Sequence, residues 1–554
     1  MTEEKIEKKD YREKINDILC HYEEGHDLFK NAKDWDHPLV RKAGSESADV
    51  PETWLELAET IIGIIAHNKY GLDTYTNQIA VIDYEQMLDL YSSIGLPVGY
   101  KHWSYGKQRA AEGKAYKGGQ MGLAYEIVIN SNPSIAYCMT QNSPLMQLLV
   151  IAHASFGHNS FFKGNHLFRQ FTNADEILPM MERFDEDAAR YEERFGYKDV
   201  EKLFDAAHAL SAYAVNRFGK PKKRTPEEEI ARRAKIEEMR RESYDPVLDR
   251  NAPKASTEFS KAAIPADMEE NLVRFIASDA PHLKPWQRNL LTQFADKEQY
   301  FYPQKQTQLM NEGWASFWHY TLLNDMRDLD LISPGMMMEF IQSHAGVLTQ
   351  LDFDDKRSNG SINPYALGFA IFRDIRRMCE NPTDEDREWF PAIAGKEWVP
   401  TLMRAMQDFK DESFVLQYLS PEVMRKFRAF SIEDNAEKDG VPVTAIHDEE
   451  GYKLLRENMA SQYRLADREL QIEVAGYNFK GDRSVTLQHT IRNGVPINEK
   501  EALETLKHFH YLWGHPVKLY SVDPTKDNKI VTALSIPLKA KDEGPKVGQK
   551  LTFN

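Results

Sequence analysis

Cysteine is scarce in this chain of 554 residues, which contains only Cys20, Cys138 and Cys379. The three lie far apart and form no C-x-x-C pair, so they exclude a disulfide framework and a cysteine-based structural zinc site. Long apolar runs are missing as well, because runs such as 148–152 fall far short of the roughly 20 residues that span a bilayer. The charged N-terminus lacks the apolar core of a signal peptide. We therefore expect a soluble cytoplasmic protein with no transmembrane segment.

An excess of positive charge is also absent. The 70 Lys and Arg residues are outnumbered by 86 Asp and Glu residues, which gives a net charge of −16. A surface this negative repels nucleic acid and anionic lipid. The one basic stretch, within 220–242, alternates with acidic residues and is typical of a solvated helix or linker, with a docking surface for a partner as the alternative. No nucleic-acid partner is predicted.

The length of the chain exceeds the roughly 250–300 residues at which single cores stop growing. Its hydrophobic content of 42% is enough to fill more than one core. Strand-like alternation at 471–477 and 484–489 follows a long region of helical periodicity. The predicted fold class is therefore α+β and predominantly α-helical. The predicted parts are a polar N-terminal extension (1–50), a mostly helical main domain (51–435) with an exposed charged insertion (about 220–256), and a small C-terminal α+β domain (436–554).

Two histidines lie at the end of the apolar segment 146–156, which is long enough for a buried helix. Imidazole is costly to bury without a partner, so His153 and His158 indicate either core histidines bonded to backbone carbonyls or a metal site. Residues five apart point roughly 140° away from each other in a regular α-helix, so this is not the H-E-x-x-H helix of zinc proteases. The two rings converge only if the helix unwinds or bulges at Gly157, which would place His158 in the first turn of a following loop.

The segment 311–315, Asn-Glu-Gly-Trp-Ala, resembles the Asn-Glu-Gly-aromatic-Ala helix that supplies the third, carboxylate ligand in gluzincin metallopeptidases. In that family a strand, a two-histidine helix and a downstream glutamate helix build the zinc site. The predicted strand 123–130, His153 with His158, and then Glu312 follow in the same order. The resemblance implies that both histidines and Glu312 hold a divalent metal ion, with zinc as the expected metal. The alternative is a structural Glu312, in a salt bridge or at a helix cap.

The gluzincin pattern also has a departure. In those enzymes the glutamate that activates water directly follows the first histidine, and here that position is Ala154. A different base is needed, and Glu126 on the preceding strand is the candidate. His319, His344 and His208 are further candidates, as substitute ligands or as residues that support the ligands. Each of these three alone is also consistent with a buried histidine whose hydrogen bonds are satisfied.

Several longer segments together resemble the SpoVR (stage V sporulation protein R) family over about residues 50–520. The segments that carry this resemblance are 123–133, 152–162, 302–307, 311–320, 361–369, 408–414 and 419–421. In spore formers the resemblance implies a role in forming the spore cortex, a peptidoglycan layer. In bacteria that make no spores it implies a stress or starvation setting, with a PrkA-type serine protein kinase and a von Willebrand A-domain protein as partners. It implies no activity that transfers residue by residue.

Two functions therefore remain open from the sequence. The first is a metal-dependent hydrolase that acts on an amide or peptide bond, in a main domain distantly similar to zincins. The second is a non-catalytic regulatory or scaffold protein that works with the kinase and the von Willebrand A-domain protein. In the second case the histidines and Glu312 form a buried polar network that fixes the core.

Overall fold

The structure of the protein is a computed structural model, and the parts of the chain that it describes are given first. The described residues are 10–21, 53–92, 99–117, 126–217, 269–350, 362–427, 431–432, 443–444, 449–465, 470–478, 481–492, 494 and 496–537. The predicted insertion at 220–256 and most of the predicted extension at 1–50 lie outside these residues. The chain divides into two compact units: Met1–Glu186 with Tyr300–Leu465, and Asp187–Gln299 with Ala466–Asn554. The domain boundaries expected from the sequence stay a prediction.

Most described residues are helical, which confirms the predicted α+β, predominantly helical class. The helices up to residue 217 are α1 (Tyr11–Leu19), α2 (Trp54–Ile64), π1 (Ile65–Lys69), α3 (Tyr84–Ser92), α4 (Trp103–Lys117), α5 (Pro144–Val150), π2 (Ile151–His158), α6 (Asn159–Gly164), α7 (His166–Phe171), α8 (Ile177–Phe195) and α9 (Tyr197–Ala209). Those that follow are α10 (Leu272–Asp279), α11 (Pro285–Gln306), α12 (Gln308–Asp328), α13 (Pro334–Val347), α14 (Pro364–Glu380), α15 (Asp384–Trp389), α16 (Trp398–Asp408), α17 (Asp411–Tyr418), α18 (Pro421–Lys426), α19 (Glu449–Ser461) and α20 (Glu499–Trp513).

The strands of the described residues form three small sheets. The strands are β1 (Asn77–Ile82), β2 (Glu126–Ile129), β3 (Ser134–Met139), β4 (Ser431–Ile432), β5 (Val443–Thr444), β6 (Ile472–Tyr477), β7 (Val485–Thr490), β8 (Val517–Asp523) and β9 (Lys529–Ile536). The first sheet has the order β1-β3-β2, with β3 parallel to β1 and antiparallel to β2. Strands β4 and β5 pair alone. The third sheet has the order β6-β7-β8-β9 and contains the two strands predicted at 471–477 and 484–489.

Local signals set where the helices of the first unit begin. Thr53 and Glu56 form a capping box at the start of α2, in which each side chain accepts a hydrogen bond from the backbone N–H of the other. The pairs Ser143-Pro144 and Asn363-Pro364 begin α5 and α14, with the polar residue as N-cap and proline in the first turn. Among the described residues, no helix combines the length and the apolar character that crossing a membrane requires.

Helix α12 lies at the centre of the first unit, where Trp314 and Trp318 are completely buried. It packs against π2 on one side and α14 on another, and glycine permits both close approaches. A Cβ atom on Gly157 of π2 would lie 2.6 Å from the Cα atom of Ala315, and one on Gly313 would lie 2.5 Å from the Cα atom of Gly368 in α14. These distances are shorter than carbon atoms tolerate, so the backbones touch only because side chains are absent there. The glycines therefore hold three helices around the region that carries Glu312.

Candidate metal centre

His153 and His158 both lie in π2, a π-helical stretch that continues an α-helix without interruption. In a π-helix the backbone hydrogen bonds run between residues five apart, so residues at this spacing lie on one face. The centroids of the two imidazole rings are accordingly only 4.6 Å apart. A local bulge that lets the rings converge was the condition set by the sequence, and the structure contains one. The expected loop at His158 is wrong, because the helix continues directly into α6 from Asn159.

Two carboxylates face these rings. Glu126 is the first residue of β2, and its Oε1 atom lies 3.1 Å from Nε2 of His153. Glu312 lies in α12, and its Oε2 atom lies 3.8 Å from Nε2 of His153 and 3.6 Å from Nε2 of His158. The structure therefore brings together four of the residues predicted from the sequence, on three different elements. Both histidines direct the same ring nitrogen toward the carboxylates.

The spacing of these atoms fits a divalent transition metal. Zinc bonds nitrogen and oxygen ligands at about 2.0–2.2 Å in tetrahedral geometry, which separates its ligand atoms by roughly 3.3–3.5 Å. The three nitrogen–oxygen separations given above, 3.1, 3.6 and 3.8 Å, lie around that value. The ligand atoms of Glu126, His153 and His158 also all lie within 4.8 Å of one another. Oε2 of Glu126 and Oε2 of Glu312 are buried without a hydrogen-bond partner among the described residues, as expected for oxygens that await a cation.

Burial and charge adjust the protonation of these groups. Burial lowers the pKa of His153 to about 4, so its imidazole is neutral at physiological pH. Burial alone would raise the pKa of Glu312, but its electrostatic interactions with the imidazoles of His158 and His153 outweigh burial and lower the pKa. Burial and the charge of Glu312 raise the pKa of Glu126 well above its usual value. A neutral imidazole and an ionised carboxylate are the forms that bind a metal ion.

The far side of each imidazole has a defined partner. Nδ1 of His158 lies 2.9 Å from Oδ1 of Asn311, so Nδ1 carries the proton and donates it to this acceptor. The lone pair of His158 is then left on Nε2, which faces the carboxylates. A hydrogen bond of this kind orients a metal-binding histidine and fixes its tautomer. Asn311 directly precedes Glu312, so one turn of α12 supplies both the carboxylate and the partner of His158.

His319 and His344 lie behind His153 rather than beside it. Nδ1 of His153 is 2.8 Å from Nδ1 of His319, and Nε2 of His319 is 2.7 Å from Nδ1 of His344. Burial lowers the pKa of His319 well below its usual value and that of His344 to about 4, so the chain is neutral. In a row of neutral rings both hydrogen bonds form if Nδ1–H of His153 donates to His319 and Nε2–H of His319 donates to His344. The lone pair of His153 is then on Nε2, where it can bind a cation. These two histidines thus support the centre, whereas His208 lies in the second unit, where its ring contacts Phe294.

Two residues that contact the centre were not identified from the sequence as site residues. Tyr365, at the start of α14, lies close enough to Glu312 for its hydroxyl to help lower the pKa of that carboxylate, and burial raises the pKa of the tyrosine so that it keeps its proton. Asn311 is the other, and its position beside Glu312 in the quoted motif was the available signal. Tyr365 follows Pro364 in the segment 361–369, but no spacing related it to Glu312. Its place depends on the packing of α14 against α12.

Helix α12 is itself anchored at its first turn by a buried carboxylate. Oδ2 and Oδ1 of Asp411 accept hydrogen bonds from the backbone N–H groups of Leu309 and Met310, each at 2.9 Å. These are N–H groups of the first helical turn, which lack partners within the helix. Burial raises the pKa of Asp411 to about 7. Asp411 therefore fixes the end of α12 that lies one turn before Glu312.

Comparisons with known proteins agree with the resemblance seen in the motifs. The family described as "SpoVR like protein" matches residues 51–468, and the one described as "SpoVR-like C-terminal domain" matches residues 470–524. The uncharacterized protein YcgB of Escherichia coli (strain K12) is similar over 485 residues, with 46% identity. The match covers 87% of this chain and 94% of that protein. No solved structure matches the chain.

Proposed function

The chain belongs to the SpoVR family, and from that premise we propose that it is a metal-dependent hydrolase acting on an amide or peptide bond. The observation that carries the proposal is the convergence of Nε2 of His153, Nε2 of His158 and the carboxylates of Glu126 and Glu312, over nitrogen–oxygen distances of 3.1–3.8 Å. His153, His158 and Glu312 would hold the ion, for which zinc is the expected metal. Three protein ligands leave the coordination position that a hydrolytic site requires.

A divalent metal in such a site supplies Lewis acidity and activates water. The remaining roles fall to residues of the chain. Glu126 is the general base, because its carboxylate lies beside the ligands and its Oε2 atom has no hydrogen-bond partner among the described residues. Its side chain is 18% exposed as a whole, although its Oε2 atom is buried. Tyr365 keeps Glu312 in place through its hydroxyl.

The fold context supports the proposal in one further respect. Strand β2, the histidine helix π2 and the glutamate helix α12 follow in the order that zincins use for strand, histidines and carboxylate. A distant zincin-like relationship of the main domain is part of the proposal. The family's association with sporulation favours an amide bond of the spore cortex or of its regulation as the substrate.

A second candidate is a regulatory or scaffold protein that works with a PrkA-type serine kinase and a von Willebrand A-domain protein, in sporulation or in a stress response. It is favoured by the closed chain of His153, His319 and His344, in which every ring has a buried partner. Satisfied polar networks of this kind fix the arrangement of a core without any catalysis. The hydrolase requires both a bound ion and hydrolysis of an amide, whereas the scaffold requires neither.

The deciding experiment is elemental analysis of purified, untagged protein. Wild type is compared with His158→Gln and Glu312→Gln, which remove ligands while nearly preserving size, and with His208→Gln as a control in the second unit. The proposal predicts about one transition-metal ion per chain in wild type and in the control, and loss in both ligand variants. A wild type that contains no metal and binds no added zinc, manganese or iron would contradict the proposal and favour the scaffold.

The role of Glu126 is tested by Glu126→Gln. If Glu126 is the base, this variant keeps the metal but loses hydrolysis of amide substrates, including peptidoglycan fragments, by about 10²–10⁴-fold. If Glu126 is instead a fourth ligand, Glu126→Gln should lose metal, as His158→Gln does. Retained metal with no hydrolysis of any amide in wild type would leave a metal-binding scaffold.

A further inference from the structure

A cavity of the first unit lies between α12, α14 and α18. Its volume is about 500 Å³, within the range of roughly 300–1,000 Å³ typical of small-molecule sites. The apolar part of its lining consists of Phe317, Phe369 and Val423, which are buried, together with the half-buried Tyr320. Such a surface accommodates the body of a small organic molecule.

The acidic residues that line the cavity are already neutralised. Asp374 accepts hydrogen bonds from Nε of Arg377 at 2.7 Å and from the hydroxyl of Ser420 at 2.6 Å. Glu380 pairs with Nε of Arg376 at 3.1 Å. Glu422, the third acid of the lining, pairs with Arg425. These carboxylates therefore contribute little free negative charge to the cavity.

Two basic residues of the lining, Arg373 and Lys426, are not neutralised in this way. Glu422 pairs with Arg425, at 3.3 Å, rather than with Lys426. Within the described residues, neither Lys426 of α18 nor Arg373 of α14 has a carboxylate partner at ion-pair distance. Both are exposed, and they belong to different helices that border the same cavity. An uncompensated guanidinium and ammonium beside an apolar floor form a surface that complements an anion.

We propose that this cavity binds a small organic anion that consists of an apolar body and a carboxylate or phosphate group. The anionic group pairs with Arg373 and Lys426, and the body packs against Phe369 and Val423. The two ends of the ligand thus match the two kinds of surface that the cavity offers. The lining contains none of the proposed metal ligands, although Tyr320 and Phe369 contact His344. The proposal does not depend on the proposed hydrolase activity.

Isothermal titration of the full-length protein tests the proposal. The probes are phenyl phosphate and phenylacetate as anions with an apolar body, benzyl alcohol as the neutral counterpart, and inorganic phosphate as the anionic group alone. At least one aromatic anion is expected to bind about tenfold more tightly than benzyl alcohol and than inorganic phosphate. Its affinity should fall as salt is raised, because the paired charges are exposed. Whichever of the two aromatic anions binds more tightly shows whether the cavity prefers a phosphate or a carboxylate.

Variants locate the binding. The double variant Arg373→Gln/Lys426→Gln removes both uncompensated charges from exposed positions, so the fold is expected to persist, and its melting temperature checks this. Its affinity for the preferred anion should fall about tenfold or more. Lys198→Gln, an exposed cation of the second unit, is the matched control and should bind as wild type does. The proposal is overturned if neither aromatic anion binds at about 10 mM, if benzyl alcohol binds equally well, or if the double variant is unaffected.

Discussion

The described residues of the first unit include two π-helices, which differ in the side chains that they bring together. In π1, at the end of α2, His67 is exposed, and its Nδ1 atom donates to the backbone carbonyl of Leu72 at 2.7 Å. In π2, every residue is buried, and His153 and His158 present their Nε2 atoms to carboxylates. The same backbone geometry therefore ends a helix at π1 and positions the ligands of a candidate metal centre at π2.

The difference lies in the sequence of each π-helix and in what packs against it. A π-helix aligns residues five apart, but π1 contains a single histidine, so no second ring joins it. The nearby cation Lys69 pairs with Asp325 of α12 at 2.7 Å, which is an ordinary ion pair. Around π2, strand β2 and helix α12 each contribute a glutamate. A π-helix thus becomes a site only where its aligned side chains meet a second element with complementary chemistry.

The largest expected effect comes from the metal itself. Zinc added to metal-free protein at about 1,000 times its dissociation constant should increase the free energy of unfolding by about 4 kcal/mol, because the ion binds only the folded chain. His158→Gln in π2 should abolish this gain, and His67→Gln in π1 should retain it. Denaturant titration with and without zinc measures both. Equal stabilisation of the two variants would place the zinc elsewhere.

Acid should destabilise the metal-free protein through the histidines behind π2. Burial lowers the pKa of His344 to about 4, whereas an unfolded histidine titrates near 6.5. The unfolded chain therefore takes up a proton first as pH falls from 6.5 to 4, and stability is lost over that window. This single group accounts for at most about 3 kcal/mol.

The variant His344→Gln checks that dependence. It should be less stable than wild type at pH 7, because the hydrogen bond with His319 is altered. Between pH 6.5 and 4, however, its free energy of unfolding should fall less steeply than that of wild type. Parallel curves for the two proteins would show that His344 does not contribute.

Matched glycine substitutions test the packing of the two π-helices. In Gly157→Ala the new Cβ atom meets the backbone of Ala315 at 2.6 Å, and a backbone cannot yield cheaply. Gly63 lies two residues before π1, and in Gly63→Ala the new Cβ atom meets side chains rather than backbone, with the ring of Phe156 at 3.2 Å and that of His67 at 3.8 Å. Gly157→Ala should therefore cost about 2 kcal/mol, although alanine favours the helix by about 1 kcal/mol. Gly63→Ala should change stability by less than about 1 kcal/mol. Thermal unfolding of both would refute the argument if the two effects were equal.

Much of the candidate site could be predicted because its residue types are rare in apolar surroundings. His153 and His158 stood out by their place at the end of an apolar segment, and Glu312 by the resemblance of 311–315 to a gluzincin motif. Family membership, predicted from longer motifs, is confirmed. The spacing of five even required a deformed helix, since a regular one separates the rings. Strand 123–130 is found in its described part as Glu126–Ile129. The features of the site that depend on local sequence, namely its residue types and their spacing, could therefore be predicted.

What the sequence could not supply depends on tertiary contact. Gly157 was interpreted as a place where the helix unwinds or bulges. The helix widens there into π2 and does not unwind, and the close approach of Ala315 leaves no room for a side chain at Gly157. The contact between His153 and His319 joins residues 166 positions apart, and no periodicity encodes it. Tyr365 reaches Glu312 only through the packing of α14 on α12. These features follow from how helices meet, which a single chain's pattern does not specify.

The smallest expected effect comes from Asn311, which bonds the proposed ligand His158 but is not itself a ligand. Asn311→Leu has nearly the same size but cannot accept the hydrogen bond from Nδ1 of His158, so the ring loses its orientation. Zinc affinity, measured by competition with a chromophoric chelator, should fall about tenfold. Asn311→Asp restores an acceptor and should recover the affinity, whereas Asn68→Leu in π1 should leave it unchanged. If Asn311→Leu bound zinc as wild type does, the orientation of His158 would have to come from π2 alone, and the aligned backbone would count for more than its partners.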